Sequence, residues 1–493
     1  MTNITYKNPI IKGFHPDPSI CRKGDDYYLV TSSFEYLPAV PLFHSKNLIE
    51  WEQIGHCLTK KEQIDLQDVP CSGGIFAPTI RYHNGYFYMI TTNMKKGNFI
   101  VKTNDIDKGF GNPIFIDIKG IDPSLYFEND RVYVQNACFD KTGSYIQQTE
   151  IDIETGKILK GPIAISYGCG GRDVEAPHIY HINEWYYLLC AEGGTREGHM
   201  VTVQRSKNIY GPYESCPMNP ILSNRDFSKE KLQSVGHGDL FQDSLENWWM
   251  VALATRPVKH RCFLGRETIL VPVKWKNGWP IVEDKYAKSE YAFEGIKNVE
   301  QKSNSFIDYF TDEKLNYRYN TIRTFLKESY KLNNGLILKG NNSNLSHLNP
   351  SFIGIRQTEL KCCFECKLQA NLHNGDCTGL TVLIDKDHHH EIGLKKINSE
   401  YVIYVKQNIA DIIVEKEFDK CNNSLILGID ADEMYYYFYY VNTNNEKKII
   451  YKTLIKHLSV ENSFSPFTGI YGGMFVEGSG STLFEYFKYE ERL

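Results

Sequence analysis

Five times in the first half of the chain, a short extended segment leads through a turn into an apolar strand rich in aromatic residues. The copies open at Asp17-Pro18-Ser19-Ile20, Ala77-Pro78-Thr79-Ile80, Asp122-Pro123-Ser124-Leu125, Ala176-Pro177-His178-Ile179 and Gly238-Asp239-Leu240-Phe241. Each runs into a strand such as Tyr86-Phe87-Tyr88-Met89-Ile90 or Trp185-Tyr186-Tyr187-Leu188-Leu189. A spacing of roughly 45 to 60 residues is the length of one four-stranded propeller blade. Proline at the opening of the repeat suits a blade's first strand, since it is tolerated there but not within a ladder. The pattern therefore predicts an all-β chain, a five-bladed β-propeller over residues 1–295, with a β-sandwich as the alternative packing of the same strands.

The rhythm breaks at Glu300-Gln301-Lys302-Ser303-Asn304-Ser305, and a linker is placed at 296–305. Beyond it, alternating strands such as Leu380-Thr381-Val382-Leu383-Ile384 and Tyr401-Val402-Ile403-Tyr404-Val405 recur between Gly and Asn turns. That pattern predicts a C-terminal β-sandwich over 306–493. At 493 residues the chain is too long for one ordinary core, in keeping with two domains.

Composition narrows the partners. The net charge of -5 is spread without a basic stripe, which argues against a nucleic-acid or anionic-membrane partner and for a neutral substrate. Thirteen cysteines is an odd number, and Met1-Thr2-Asn3-Ile4 lacks a basic-then-apolar leader pattern, so reduced thiols and a cytoplasmic location are expected. Cys362, Cys363 and Cys366 have no matching second pair for zinc and read as buried small hydrophobes. In His388-His389-His390 only His388 and His390 share a strand face, and no third ligand is evident, so the run is expected on the sandwich surface. No apolar stretch reaches the roughly 18 residues of a membrane span.

The first strands of a propeller line its central axis, so equivalent positions converge on one funnel. Three repeats place an acid there: Asp17, Asp122 and Glu175, the last immediately before Ala176. Carboxylates crowded in one pocket cannot all ionise freely, and the resulting separation of their pKa values is what acid/base catalysis needs. An Asp before Pro is often only a turn former, but three acids at matching positions point to chemistry.

Gly13-Phe14-His15-Pro16-Asp17-Pro18-Ser19, Gly120-Ile121-Asp122-Pro123-Ser124-Leu125 and Val174-Glu175-Ala176-Pro177-His178 resemble the three acidic motifs of glycoside hydrolase family 43. Val235-Gly236-His237-Gly238, Phe263-Leu264-Gly265-Arg266-Glu267-Thr268 and Phe467-Thr468-Gly469 resemble segments of its β-xylosidase members. The resemblance implies an inverting, exo-acting enzyme that releases xylose from β-1,4-xylo-oligosaccharides and carries α-L-arabinofuranosidase activity. Two alternatives stay open: a reversed ranking of the two pentoses, and a non-catalytic carbohydrate-binding propeller.

In the implied roles Asp17 is the general base, Glu175 the general acid and Asp122 its tuner, with the outer carboxyls roughly 6.5 to 9.5 Å apart to admit a water. Arg266 would hold a sugar hydroxyl; Phe34 and Phe76 match positions that wall the pocket. Phe139 stands where some relatives carry Trp, and Phe467 would reach over the funnel from the second domain. No cofactor is required by the resemblance. Near His237 it leaves two readings open, a neutral histidine satisfied by hydrogen bonds or one facing an axial divalent cation such as calcium. The expected partner is a small oligosaccharide, in a chain that is monomeric or a homo-oligomer.

Overall fold

The computed structural model describes residues 4–293, 303–325, 330–463 and 467–492. Residues 296–302 of the expected linker lie outside the described residues. Every named strand pairs antiparallel, and the chain is all-β.

Up to residue 282, four-stranded sheets follow one another, five among the described residues. The first strand of each is an edge: Ser19–Lys23, Thr79–His83, Ile121–Glu128, Glu175–Ile182 and Gln233–Gln242. These five edges pack in cyclic order, the fifth returning to the first. Ile4–Lys7 also pairs with Glu290–Phe293, tying the start of the chain to the segment after the fifth sheet.

Proline takes the places that a ladder permits. Pro18 and Pro78 precede their strands, while Pro123 and Pro177 sit within register shifts, between Ile121 and Ser124 and between Glu175 and His178.

At the meeting of the edges lies an ion-pair knot. Arg81 donates to both oxygens of Asp239 at 2.8 and 3.1 Å, and Ser19 Oγ and Tyr180 Oη donate to the same carboxylate at 2.7 Å each. The Ile20 amide adds a fifth bond at 3.1 Å. First strands of four sheets thus converge on one buried charge. Burial opposes ionisation of Asp239, but Arg81, His178 and these donors hold its pKa far below the usual carboxylate range.

The C-terminal part stacks a six-stranded sheet on an eight-stranded one. Leu380, Ile392 and Val405 from the first meet Phe364, Leu427, Phe438 and Phe487 from the second in one apolar core. The six-stranded sheet turns its other face to the N-terminal part, where Tyr404, Tyr471 and Phe475 cluster with Phe14, Phe34 and Tyr36. Tyr36 and Tyr471 stack with centroids 3.9 Å apart, and Thr321–Ile322 pairs with Tyr36–Leu37 across the boundary. Cys362, Cys363 and Cys366 are buried free thiols, as expected.

The histidine run corrects the sequence reading. His388, His389 and His390 are all buried, because both faces of their sheet are covered. His388 Nδ1 lies 2.9 Å from Asp385 Oδ1, His389 Nε2 lies 3.1 Å from Glu391, and His390 meets Tyr436 and His457 edge-on. Burial drops the His390 pKa to about 3, so that ring is neutral.

Removing the charge of the knot tests its weight. Asp239→Asn leaves Arg81 without its counter-ion and is expected to cost about 3 kcal/mol. The urea midpoint of the N-terminal part should fall accordingly; an unchanged midpoint would show that the knot is dispensable.

Candidate active site

The three acids predicted from the repeats come together at the same end of the converging edges. Each is placed by an unusual backbone. Asp17 and Asp122 have φ of 55° and 53°, and Ala176, next to Glu175, has φ of 50°. Asp122 and Glu175 also sit where their strands slip register. Left-handed backbone at a bulge re-aims a side chain that would otherwise follow the pleat. His237 shares the feature, with φ of 48° in a strand that shifts register twice.

Asp17 is buried and heavily bonded. Arg266 donates to its two oxygens at 2.7 and 3.4 Å, Ser32 Oγ donates at 2.6 Å, and His237 Nδ1 stands 3.5 Å away. Burial pushes its pKa up, but Arg266, His237 and Ser32 together hold it below the ordinary carboxylate value. Asp122 behaves oppositely: burial and the neighbouring Asp17 raise it to about 6 against the pull of His237 and Arg266. The half-buried Glu175 is raised well above its usual value by burial, then by Asp122 and Asp17. One carboxyl group is thus drawn towards its ionised form and another towards its protonated form.

Aromatic rings wall this cluster. Phe34 stacks on Phe467 at 5.6 Å and tilts against Phe76 at 5.6 Å. The Arg266 guanidinium lies 5.8 Å from the Phe34 ring and 5.5 Å from the Phe467 ring, and Nη2 reaches the Phe467 carbonyl at 3.4 Å. Phe467 arrives because its loop lies directly on the Arg266 loop. The Ile470 amide donates to Phe263 O at 3.0 Å, and a Cβ on Gly469 would stand 2.5 Å from Leu264 O, so only glycine fits there. Phe139 stands apart from these rings. It is 54% exposed, two residues beyond Ala137, which pairs with Ile121 beside Asp122. That places it on the rim of the same end.

Other contributors were not legible in the sequence. Ser32 lies outside the repeated segment that carries Asp17. Glu192 is buried and accepts from the Cys169 and Gly171 amides and the Thr202 hydroxyl at 2.7 to 2.8 Å, fixing the loop that leads into Glu175. Among the described residues no group of three His, Cys, Asp or Glu side chains is disposed to hold a metal. His237 stands beside two of the acids: its Nδ1 lies 3.5 Å from Asp17 Oδ1, and its charge acts on Asp122 as well.

The family model described as Glycosyl hydrolases family 43 matches residues 6–280, and that described as Beta xylosidase C-terminal Concanavalin A-like domain matches 307–490. A non-reducing end alpha-L-arabinofuranosidase of Bacteroides ovatus is 36% identical over 97% of this chain and 92% of its own. A beta-xylosidase of Bacillus subtilis is 36% identical over 72% of each. Among solved structures, a xylan beta-1,4-xylosidase from Bacillus halodurans superposes with a TM-score of 0.93 at 29% identity, over 99% of this chain and 100% of that one. By this extent of likeness, and with its three acids gathered at one end of the five edges, the chain belongs to glycoside hydrolase family 43.

Proposed function

We propose that the protein is an exo-acting β-xylosidase that also cleaves α-L-arabinofuranosides, and that the five sheets are blades of a five-bladed propeller with its active site on the axis. The division of protons among Asp17, Asp122 and Glu175 carries the reading. The cyclic packing of the five edges supports the propeller. The names of the relatives above support the pentose.

In the proposed mechanism Asp17, held ionised by Arg266, takes a proton from water as its oxygen attacks the anomeric carbon. Glu175, held protonated, gives its proton to the departing glycosidic oxygen as the C–O bond breaks. Asp122 keeps the Glu175 proton in place through its nearby charge. Phe34, Phe76 and Phe467 pack against the sugar, and the stacked pair of Phe34 and Phe467 stops a continuing chain, which accounts for exo action. Phe139 lines the leaving-group side from the rim. Arg266 spans base and lid and is placed to meet a sugar hydroxyl. His237 acts as an axial histidine beside the base, and no step is routed through an ion.

The B. ovatus relative's name favours a second reading, in which arabinofuranosidase is the main activity. Rates on the two nitrophenyl pentosides rank the readings directly.

Three tests bear on the mechanism. Glu175→Ala should cut kcat on xylobiose by about 10²-fold or more, with a much smaller loss on nitrophenyl xyloside, whose leaving group needs little protonation. Equal losses on both substrates would remove Glu175 from the acid role. Proton NMR in the first turnovers should show the inverted anomer; early release of the retained anomer would rule out a single displacement. Arg266→Lys loosens the fork that lowers the Asp17 pKa. Because the base must be ionised, the acid limb of kcat/KM should then move to higher pH, and an unmoved limb would mean that Arg266 does not set it.

A further inference from the structure

Glu35 follows Phe34 in the chain and is buried at the boundary between the two parts of the protein, away from the three acids. Both of its carboxylate oxygens accept from the Ser72 amide, at 3.1 and 3.0 Å. The Ser72 hydroxyl in turn accepts from the Phe467 amide at 3.2 Å, and the Phe467 carbonyl accepts from Arg266, which binds Asp17. On its other side the Glu35 carbonyl accepts the Arg323 amide at 2.8 Å, with the Arg323 guanidinium 3.9 Å from the carboxylate. Arg323 is itself anchored on Val69 O and Leu348 O at 2.6 and 2.7 Å. A continuous path thus runs from a buried acid, through one serine, to the ring over the site.

We propose that Glu35 is a positioning residue for this active site: through Ser72 it holds the Phe467 loop of the C-terminal part against Phe34, and so sets how firmly the pocket closes on the terminal sugar. The inference rests on the reading of Phe467 as a wall of the sugar pocket. The local fold supports it. Phe34 exchanges backbone bonds with Ile75 at 2.9 and 3.1 Å, and a Cβ on Gly74 would stand 2.3 Å from Phe34 O, so the 72–75 loop is fitted to this contact. Glu35 and Ser72 both sit on a bonded route from the boundary to the Phe467 amide.

The carboxylate also titrates in a useful range. Burial pushes Glu35 up to about 7, against Arg323 and the backbone donors at Glu35 and Ser72, and Asp385 adds to the rise. Cys71, Tyr36 and Tyr471 face the same charge, and each is itself pushed above its usual value, mainly by burial. With a folded pKa above the free value, ionisation costs fold stability as pH rises through that window. The same ionisation makes Glu35 a stronger acceptor for the Ser72 amide. The lid should therefore tighten as pH rises through about 7.

The test uses four variants of the full chain, with KM and kcat for nitrophenyl xyloside measured across pH. Phe467→Ala should raise KM, and Ser72→Ala and Glu35→Ala should each raise it by about tenfold with a smaller change in kcat, the loss expected of one charged or lid-bearing hydrogen bond. Glu35→Gln keeps an oxygen for the Ser72 amide and should restore most of the affinity, while abolishing the fall of KM through neutral pH. An unaffected Phe467→Ala overturns the lid reading and this inference with it. A raised KM in Phe467→Ala beside unchanged values in soluble Ser72→Ala, and an unaltered pH profile in Glu35→Gln, overturns the role of Glu35 alone. Should Glu35→Ala fail to fold, those other variants decide the matter.

Discussion

Three carboxyl groups share one poorly solvated site, and Arg266 binds one of them, Asp17, through both of its oxygens. Like charges crowded in low dielectric repel, and here Asp17 raises the pKa of Asp122 while both raise that of Glu175. Arg266 settles where the negative charge rests. Its fork stabilises ionised Asp17, and the charge so fixed helps to raise the pKa of Asp122 and of Glu175. The position of one cation thus sets apart three groups that are chemically alike.

That cation is placed by the boundary between the two parts of the protein. Gly265 and Gly469 let two loops touch backbone to backbone, which brings the Phe467 carbonyl onto Arg266 and the Phe467 ring onto Phe34. The six-stranded sheet reinforces the contact through Tyr471 on Tyr36 and through Arg356, which donates to Phe14 O at 2.6 Å, three residues before Asp17. The C-terminal part is therefore built into the site. The Asp239 knot locks the first strands of four sheets, among them the one that follows Asp17 and the one that begins at Glu175.

Much of this was legible in the sequence, for physical reasons that also mark the limit. Aromatic strands after Pro-containing openings reveal the repeat, and matching positions in a repeat converge, so Asp17, Asp122 and Glu175 could be grouped without coordinates. Positive φ at Asp17 and Asp122 could not be read, because neither residue is a glycine that would advertise it. Asp239 opens the fifth repeat, yet it serves the knot and not the chemistry, a distinction that only the reach of Arg81 reveals. The histidine run was misplaced because period-two reasoning assumes one wet face, whereas this sheet is covered on both. Ser32, Ser72, Glu35 and Glu192 act through hydrogen bonds across long sequence gaps, and such bonds leave no local pattern.

The central claim is a distribution of protons, and neutron diffraction from deuterium-exchanged crystals at neutral pH observes it directly. The account predicts a deuteron on the Glu175 carboxyl and none on Asp17, with Arg266 donating to both Asp17 oxygens. A deuteron on Asp17, or a bare Glu175 carboxylate, would contradict it.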